Sequence, residues 1–337
     1  MTYYFYLPKK AINEATIFYV NIVKEALEFK KNKVIFTETL DFELEKDDYI
    51  LTIRLRDFLI SYLKYKTQNT IYWFQGIQPE EYLMLNNNTI KSKLTKLGLD
   101  RLESWVLKKA KYTFFVSNRM KEHFEIKHSY KIKNDIIMPC FNKQMNEKMF
   151  FYSKNESSFV YAGSLFAWQC FDKTIALFKE IQQQIPEASL TILTNEMEKA
   201  KIQIESLGIK NYFVKFVPLE DLDQELSKYK YGFIIRDNIL INNVSTPTKM
   251  STYLSVGLIP IYTDVIEDFN QNLKNYNYQV LLDYKEDIKV WSEKIRTFNQ
   301  KDIQITDQFT ETNTIFNDYY NISKYITVIR KTINSID

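Results

Sequence analysis

Strands and helices alternate from one end of this chain to the other, and each strand is a nearly unbroken apolar run. The first half holds TYYFYL (2–7), VIFT (34–37), YILTI (49–53), TIYWFQ (70–75) and YTFFVS (112–117). The second holds FVYAGS (159–164), SLTILT (189–194), YFVKFV (212–217), YGFIIR (231–236) and LIPIYT (258–263). A strand with water on one face alternates apolar and polar residues, so an unbroken run predicts a parallel strand covered on both faces. The covering helices are also written in the chain. Residues 13–29 carry Ala15, Phe18, Ile22, Ala26 and Phe29 at helical spacing. Phe171, Ile175, Phe178, Ile181 and Ile185 mark another helix that stops before Pro186. RDFLISYLKYK (56–66) and a basic stretch at 90–110 predict further helices, and Ser117 is placed to cap the one after its strand. Repeated strand–helix units predict open parallel sheets.

The pattern runs twice. Residues 141–157 are polar and aperiodic and predict a linker, after which the alternation restarts. The expected fold class is therefore α/β, with two Rossmann-like parallel-sheet domains facing a central cleft. Residues 1–145 form the first and 155–317 the second, and an amphipathic terminal helix at 318–337 packs back on the first. Aromatic residues make up 15% of the chain, enough to fill two cores. Cys140 and Cys170 are too few for a disulfide framework or a Cys-rich metal site, and read as reduced core thiols of a cytoplasmic protein. The apolar start lacks a basic leader and ends at Pro8, and no apolar run reaches membrane-spanning length. Neither a signal peptide nor a transmembrane helix is expected. Charge is uneven: residues 1–150 carry a net +7 and the remainder a net −4. A basic first half predicts an anionic partner there, a phosphate or a lipid headgroup, and no nucleic-acid motif occurs.

In open parallel sheets, ligands bind beyond the carboxyl ends of the strands. One such end is Ala162-Gly163-Ser164, where a glycine lets a ligand or another backbone approach closely. Others are Thr194 and Pro218. No GxGxxG follows any strand, which argues against a nicotinamide or flavin site. YGFIIR ends in Arg236, and Thr246-Pro247 opens a helix with Lys249 in its first turn. A cation there opposes the helix dipole unless an anion lies nearby. Arg236 and Lys249 read either as flanking one diphosphate or as two solvated surface cations.

Residues 231–263 resemble the donor-binding segment of family 4 glycosyltransferases of the GT-B fold, as found in bacterial capsule, O-antigen and exopolysaccharide synthesis. The matching residues are Pro247, Lys249, Tyr253, Leu254, Gly257 and Pro260. Gly163-Ser164 with Trp168 resembles the start of that family's nucleotide domain, and YWFQGIQPEE (72–81) and FVSNRM (115–120) its acceptor domain. The resemblance implies a nucleotide-sugar-dependent hexosyltransferase, retaining and metal-independent, with no cofactor beyond the sugar donor. It implies leaving-group stabilisation by Arg236 and Lys249, with Gly163, Ser164, Trp168, Thr194, Pro218, Thr246, Thr248 and Thr252 on the donor side. Asn13, Gln75, Gly76, Glu80 and Glu81 fall on the acceptor side, where a glycan or lipid-linked glycan would bind. The chain departs from the family in places. Thr252 and Val244 stand where it usually has Glu, Trp168-Gln169 where it has a Lys, and Pro8-Lys9-Lys10 where it has a Gly-Gly loop.

Other features read more plainly. Asp47-Asp48 reads as a turn, and His123 and His128 as solvated surface residues. Glu80 and Glu81 also suit a Pro-Glu-Glu helix start. Residues 91–111 carry seven Lys or Arg against two Asp or Glu, with Leu94, Leu97, Trp105 and Val106 as an apolar component. Such a helix either packs on its sheet or makes peripheral contact with an anionic membrane. The alternative to an enzyme is a non-catalytic GT-B subunit that binds glycan or stabilises a partner transferase. Homo-oligomerisation stays open.

Overall fold

A computed structural model describes residues 1–12, 14–87 and 89–334. It divides into two compact units. The first comprises residues 1–140, 244–246 and 321–337, and the second residues 141–243 and 247–320.

In the first unit, β1 (Thr2–Tyr6), β2 (Lys33–Thr37), β3 (Tyr49–Thr52), β4 (Thr70–Phe74), β5 (Tyr112–Phe115) and β6 (Asp135–Ile137) form a parallel sheet in the order β2-β1-β3-β4-β5-β6. β3, β4 and β5 are buried at every position, as their unbroken apolar runs predict. Phe74 stacks on Phe115 at 5.2 Å, and Trp73 lies against Tyr19 and Phe114. The terminal helix Ile322–Asn334 belongs to this unit. Arg330 donates to the Ala26 carbonyl and covers the Phe29 ring, while the Tyr112 hydroxyl donates to the Ile333 carbonyl.

Ser117 caps the helix Asn118–His128, accepting from the Met120 amide at 3.0 Å. Its hydroxyl also donates to the Val244 carbonyl at 2.7 Å, binding the returning segment 244–246 to this unit. Ser117→Ala removes a cap and leaves that buried carbonyl unpaired, at a cost of about 1–2 kcal/mol. A thermal melt is expected to show a fall of roughly 2–8 °C.

In the second unit, β7 (Asn155–Ala162), β8 (Ser189–Leu193), β9 (Tyr212–Lys215), β10 (Tyr229–Ile234), β11 (Ile259–Thr263) and β12 (Val280–Leu282) pair in the order β12-β11-β10-β7-β8-β9, all parallel. Counted from β7, this is the Rossmann order, and its direction reverses between β7 and β10. In the first unit the reversal falls between β1 and β3. Phe159 stacks on Tyr231 at 4.8 Å within a core that includes Phe178 and Phe233.

The stretch expected to be a linker differs from its reading. β7 begins at Asn155, a helix spans Glu147–Phe150, and Phe141 and Phe150 are fully buried. Phe150 fits because Gly257 has no side chain: a Cβ there would lie 3.1 Å from the Phe150 ring. The Asn146 amide donates to the Ser255 carbonyl, and Lys154 to that of Val256. Two aromatic anchors in a polar sequence thus attach the stretch to the second unit. Among the described residues no helix is long and apolar enough to cross a membrane.

Candidate functional site

The reversal between β7 and β10 places their carboxyl ends beside each other, and two cations of the second unit meet there. Arg236 follows β10 and is 2% exposed. Thr263, at the end of β11, holds its backbone from both sides. The Thr263 hydroxyl accepts from the Arg236 amide at 2.9 Å and donates to the Arg236 carbonyl at 2.7 Å. The guanidinium donates to the carbonyls of Ile235 and Gln169 at 2.9 and 3.0 Å, and to Gln169 Oε1 at 2.5 Å.

Lys249 reaches the same amide oxygen, its Nζ donating to Gln169 Oε1 at 2.7 Å. It also lies 4.2 Å from the Tyr161 ring centroid, on β7. Burial and the neighbouring Arg236 charge hold the Lys249 ammonium well below the usual lysine range. Burial lowers Arg236 as well. Two cations therefore share one neutral amide oxygen, and among the described residues neither pairs with a carboxylate. Such a site favours an anion.

Two glycines make room for this arrangement. Gly163 has φ +140°, and a Cβ there would lie 2.7 Å from Lys249 Cε and 3.0 Å from its Nζ. Gly232 on β10 receives the Tyr253 ring, which a Cβ would meet at 2.5 Å. The Tyr253 hydroxyl accepts from the Ala162 amide at 3.0 Å and donates to the Phe233 carbonyl at 3.4 Å. Tyr253 thus anchors the helix Lys249–Ser255 to both strands of the reversal and sets Lys249 at their ends. That helix begins at Lys249, two residues beyond the predicted Pro247 start.

The other donor-side residues are distributed around this point. The Ser164 carbonyl accepts from the Tyr161 hydroxyl at 2.6 Å. Trp168 stacks on the exposed Phe166 at 4.9 Å. Thr194 is buried and accepts from the Glu196 amide, while the Glu196 carboxylate holds the Leu165 amide at 2.6 Å. This ties the turn after β8 to the turn after β7. The Thr248 carbonyl accepts from the Thr252 hydroxyl at 3.0 Å, and that hydroxyl also meets Asn142 Oδ1 at 2.8 Å. Pro218 is exposed, its carbonyl accepting from the Asp221 amide. Thr246 lies in the first unit, where its hydroxyl accepts from the Cys140 amide at 2.9 Å. Arg236, Lys249 and Gly163 are brought together, and Pro218 and Thr246 are not among their contacts.

In the first unit, Gln75 and Gly76 follow β4. The Tyr19 hydroxyl lies 3.5 Å from Gln75 Oε1. Glu81 folds back to accept from the Ile77 amide at 3.0 Å, and burial raises its carboxyl. Glu80 pairs with Lys96 and Lys127 at 3.2 and 2.9 Å. Asn13 lies outside the described residues. The histidines differ from their sequence reading: His128 joins this ion cluster, and His123 is partly buried. His128 Nε2 lies 2.7 Å from Glu103, and burial lowers His123 to about 4. After β1, the Arg54 guanidinium donates to the Lys10 carbonyl. Asp48, read as a turn residue, is buried and accepts from the Thr2 amide at 2.6 Å.

Gln169, Tyr161 and Thr263 complete the cation site without having been singled out for it. An amide, a core tyrosine and a strand-end threonine carry no motif. Their roles follow from register, which places Thr263 beyond the Ile234–Tyr262 pair. Cys170, beside Gln169, is a free buried thiol pushed up to about 11 by burial.

Two parallel six-stranded Rossmann-like units define the GT-B fold class. No family model and no curated protein matches the chain. Solved structures of that class do. Anabaena Alr3699/HepE, in complex with UDP and glucose, superposes with a TM-score of 0.70 over 99% of both chains at 10% identity. A variant of S. aureus TarM, in complex with fondaparinux, alpha-GlcNAc-glycerol and UDP, gives 0.62 at 10% identity, covering 86% of this chain and 56% of TarM. The pneumococcal O-GlcNAc transferase GtfA, with UDP and GlcNAc, gives 0.59 at 13% identity, covering 87% and 57%. The chain thus spans little more than half the length of TarM and GtfA. At these identities the likeness is one of fold.

Proposed function

We propose that the chain is a cytoplasmic glycosyltransferase that moves a sugar from a nucleotide-diphosphate donor to a glycan or lipid-linked glycan. The observation that carries this is the Arg236–Lys249 pair: two cations at a Rossmann reversal point, beside a glycine turn, sharing only a neutral oxygen. A diphosphate brings the missing negative charge. In this reading a phosphate oxygen takes the position that Gln169 Oε1 now fills, and the Gln169 side chain turns aside.

The transfer breaks the bond between the sugar's anomeric carbon and the diphosphate oxygen. Negative charge grows on that oxygen, and Arg236 and Lys249 stabilise it where water is excluded. The acceptor oxygen forms the new bond to the anomeric carbon on the face the diphosphate leaves, and its proton passes to the departing phosphate. No side-chain base is required, which suits a first unit whose His128 and Glu80 are engaged in an ion cluster. TarM, GtfA and HepE in complex with UDP support this choice of donor class.

The test is thermal stabilisation by UDP, GDP, dTDP and CMP. A ligand at a hundred times its dissociation constant adds about 2.7 kcal/mol, roughly 5–10 °C for domains of this size. One nucleoside diphosphate is expected to give such a shift, and Arg236→Ala and Lys249→Ala to lose it. Filling of the anion position by Gln169 favours a second reading, a non-catalytic subunit that binds glycan or a partner transferase. No shift with any nucleotide selects that reading.

A further inference from the structure

The helix Ile90–Lys109 has two acidic residues, and both are engaged on its inner side. Asp100 pairs with Lys96 at 2.8 Å and Lys127 at 2.7 Å. Glu103 is fully buried and meets Lys127 and His128, each at 2.7 Å. Val106 and Leu107, on the same side, are buried as well. The basic stretch is therefore divided: its later apolar residues serve the core, and its earlier ones do not.

The outward side carries Ile90, Leu94 and Leu97, which are 82%, 67% and 47% exposed. Positions i, i+4 and i+7 share one helical face, and the stripe continues into the exposed Arg101 and Lys108. The preceding helix Gln78–Leu85 packs on this one and ends in the exposed Met84 and Leu85. Lys91 and Lys93 stand exposed beside the stripe. None of Lys91, Lys93, Arg101 or Lys108 has an ion-pair partner among the described residues. Single exposed apolar residues are ordinary, but five on neighbouring helix turns, fringed by unpaired cations, form a patch of one chemistry.

We propose that this face docks on a bilayer containing anionic lipid, with Leu85, Ile90, Leu94 and Leu97 entering the boundary between headgroups and acyl chains. Lys91, Lys93 and Arg101 then meet the headgroup phosphates. Charge selects this occupant. Two copies meeting through the patch would bring cation against cation, whereas an anionic bilayer supplies both the apolar layer and the opposite charge. The inference is independent of the transfer chemistry, and its failure leaves that reading standing.

The test is co-sedimentation of the full chain with vesicles of phosphatidylcholine alone or mixed with phosphatidylglycerol, at low and raised salt. The expected result is binding to the mixed vesicles that weakens with salt. Lys91→Gln, Lys93→Gln and Arg101→Gln should each reduce it about fivefold. Ile90→Ser, Leu94→Ser and Leu97→Ser together should reduce it at least tenfold, with an unchanged melting temperature because all three are exposed. No binding to mixed vesicles, equal binding to both vesicle types, or a triple serine variant that binds like wild type overturns the proposal. So does a wild-type dimer that ignores vesicles and becomes monomeric in the triple variant, which assigns the face to a second copy.

Discussion

Replacing Lys249 by methionine is expected to stabilise the free protein while removing its response to nucleotide. The usual expectation for a side chain with a 2.7 Å hydrogen bond and a ring contact is the opposite sign. Here the folded state opposes the charged form, first through burial and then through the neighbouring Arg236. A methionine fills similar space without the charge; exchanging whole buried ion pairs for apolar residues stabilises by about 1–4 kcal/mol, which bounds the gain for one ammonium. Lys249 as a whole is only half-buried, so a gain of about 1–2 kcal/mol is expected. Transfer activity should fall roughly 100- to 1,000-fold, the usual cost of losing one preorganised partner of the transition-state charge. Melts with and without nucleoside diphosphate separate the two effects.

The same shift predicts a pH dependence. The unfolded chain binds the Lys249 proton more tightly than the folded chain, so wild-type stability gains from this group as the pH rises toward the ordinary value of 10.5. Below the folded-state value, the penalty is present in full. Lys249→Met lacks this slope, and the difference between the two melting curves across pH isolates it from the tyrosines that titrate nearby. Diphosphate binding restores the proton's preference for Lys249, so above the folded-state value binding should take up a proton. Calorimetry in two buffers of different ionisation enthalpy measures that uptake.

Much of the fold was legible because covered parallel strands write themselves as apolar runs. The runs ending at Gln75, Ser117, Arg236 and Thr263 each identified a strand to within a residue or two of its bounds. The stretch 141–157 was harder to read, since tertiary packing decides it. Phe150 is an anchor only because Gly257, more than a hundred residues away, leaves room for its ring. The ion cluster hid itself for a related reason. His128 and Lys127 look solvated in sequence, yet Glu103 enters from a different helix at 2.7 Å. At the cation site, Arg236 and Lys249 could be singled out by chemistry and by position after a strand. Gln169 stood out only as a departure from the family's usual Lys, because an amide declares no charge and its importance lies in the two cations that reach it.

Gly163→Ala is expected to damage the same site from the backbone side, and a double-mutant cycle shows by which route. Two effects are combined in this substitution. At φ +140° any side chain strains the backbone, by about 1–3 kcal/mol. The new methyl would also lie 2.7 Å from Lys249 Cε, close enough that something must move. Lys249 is the part able to yield, and yielding removes its ammonium from Gln169 and Tyr161. Nucleotide-dependent stabilisation should therefore be lost in the single variant. Combining it with Lys249→Ala keeps the backbone strain and removes the contact. Gly163→Ala should then cost about 1 kcal/mol less in the Lys249→Ala background than in wild type, the coupling typical of residues in contact. Denaturant melts of the four proteins measure this. If the two substitutions are additive instead, the glycine serves the turn alone, and the placement of the Lys249 ammonium does not depend on the missing side chain.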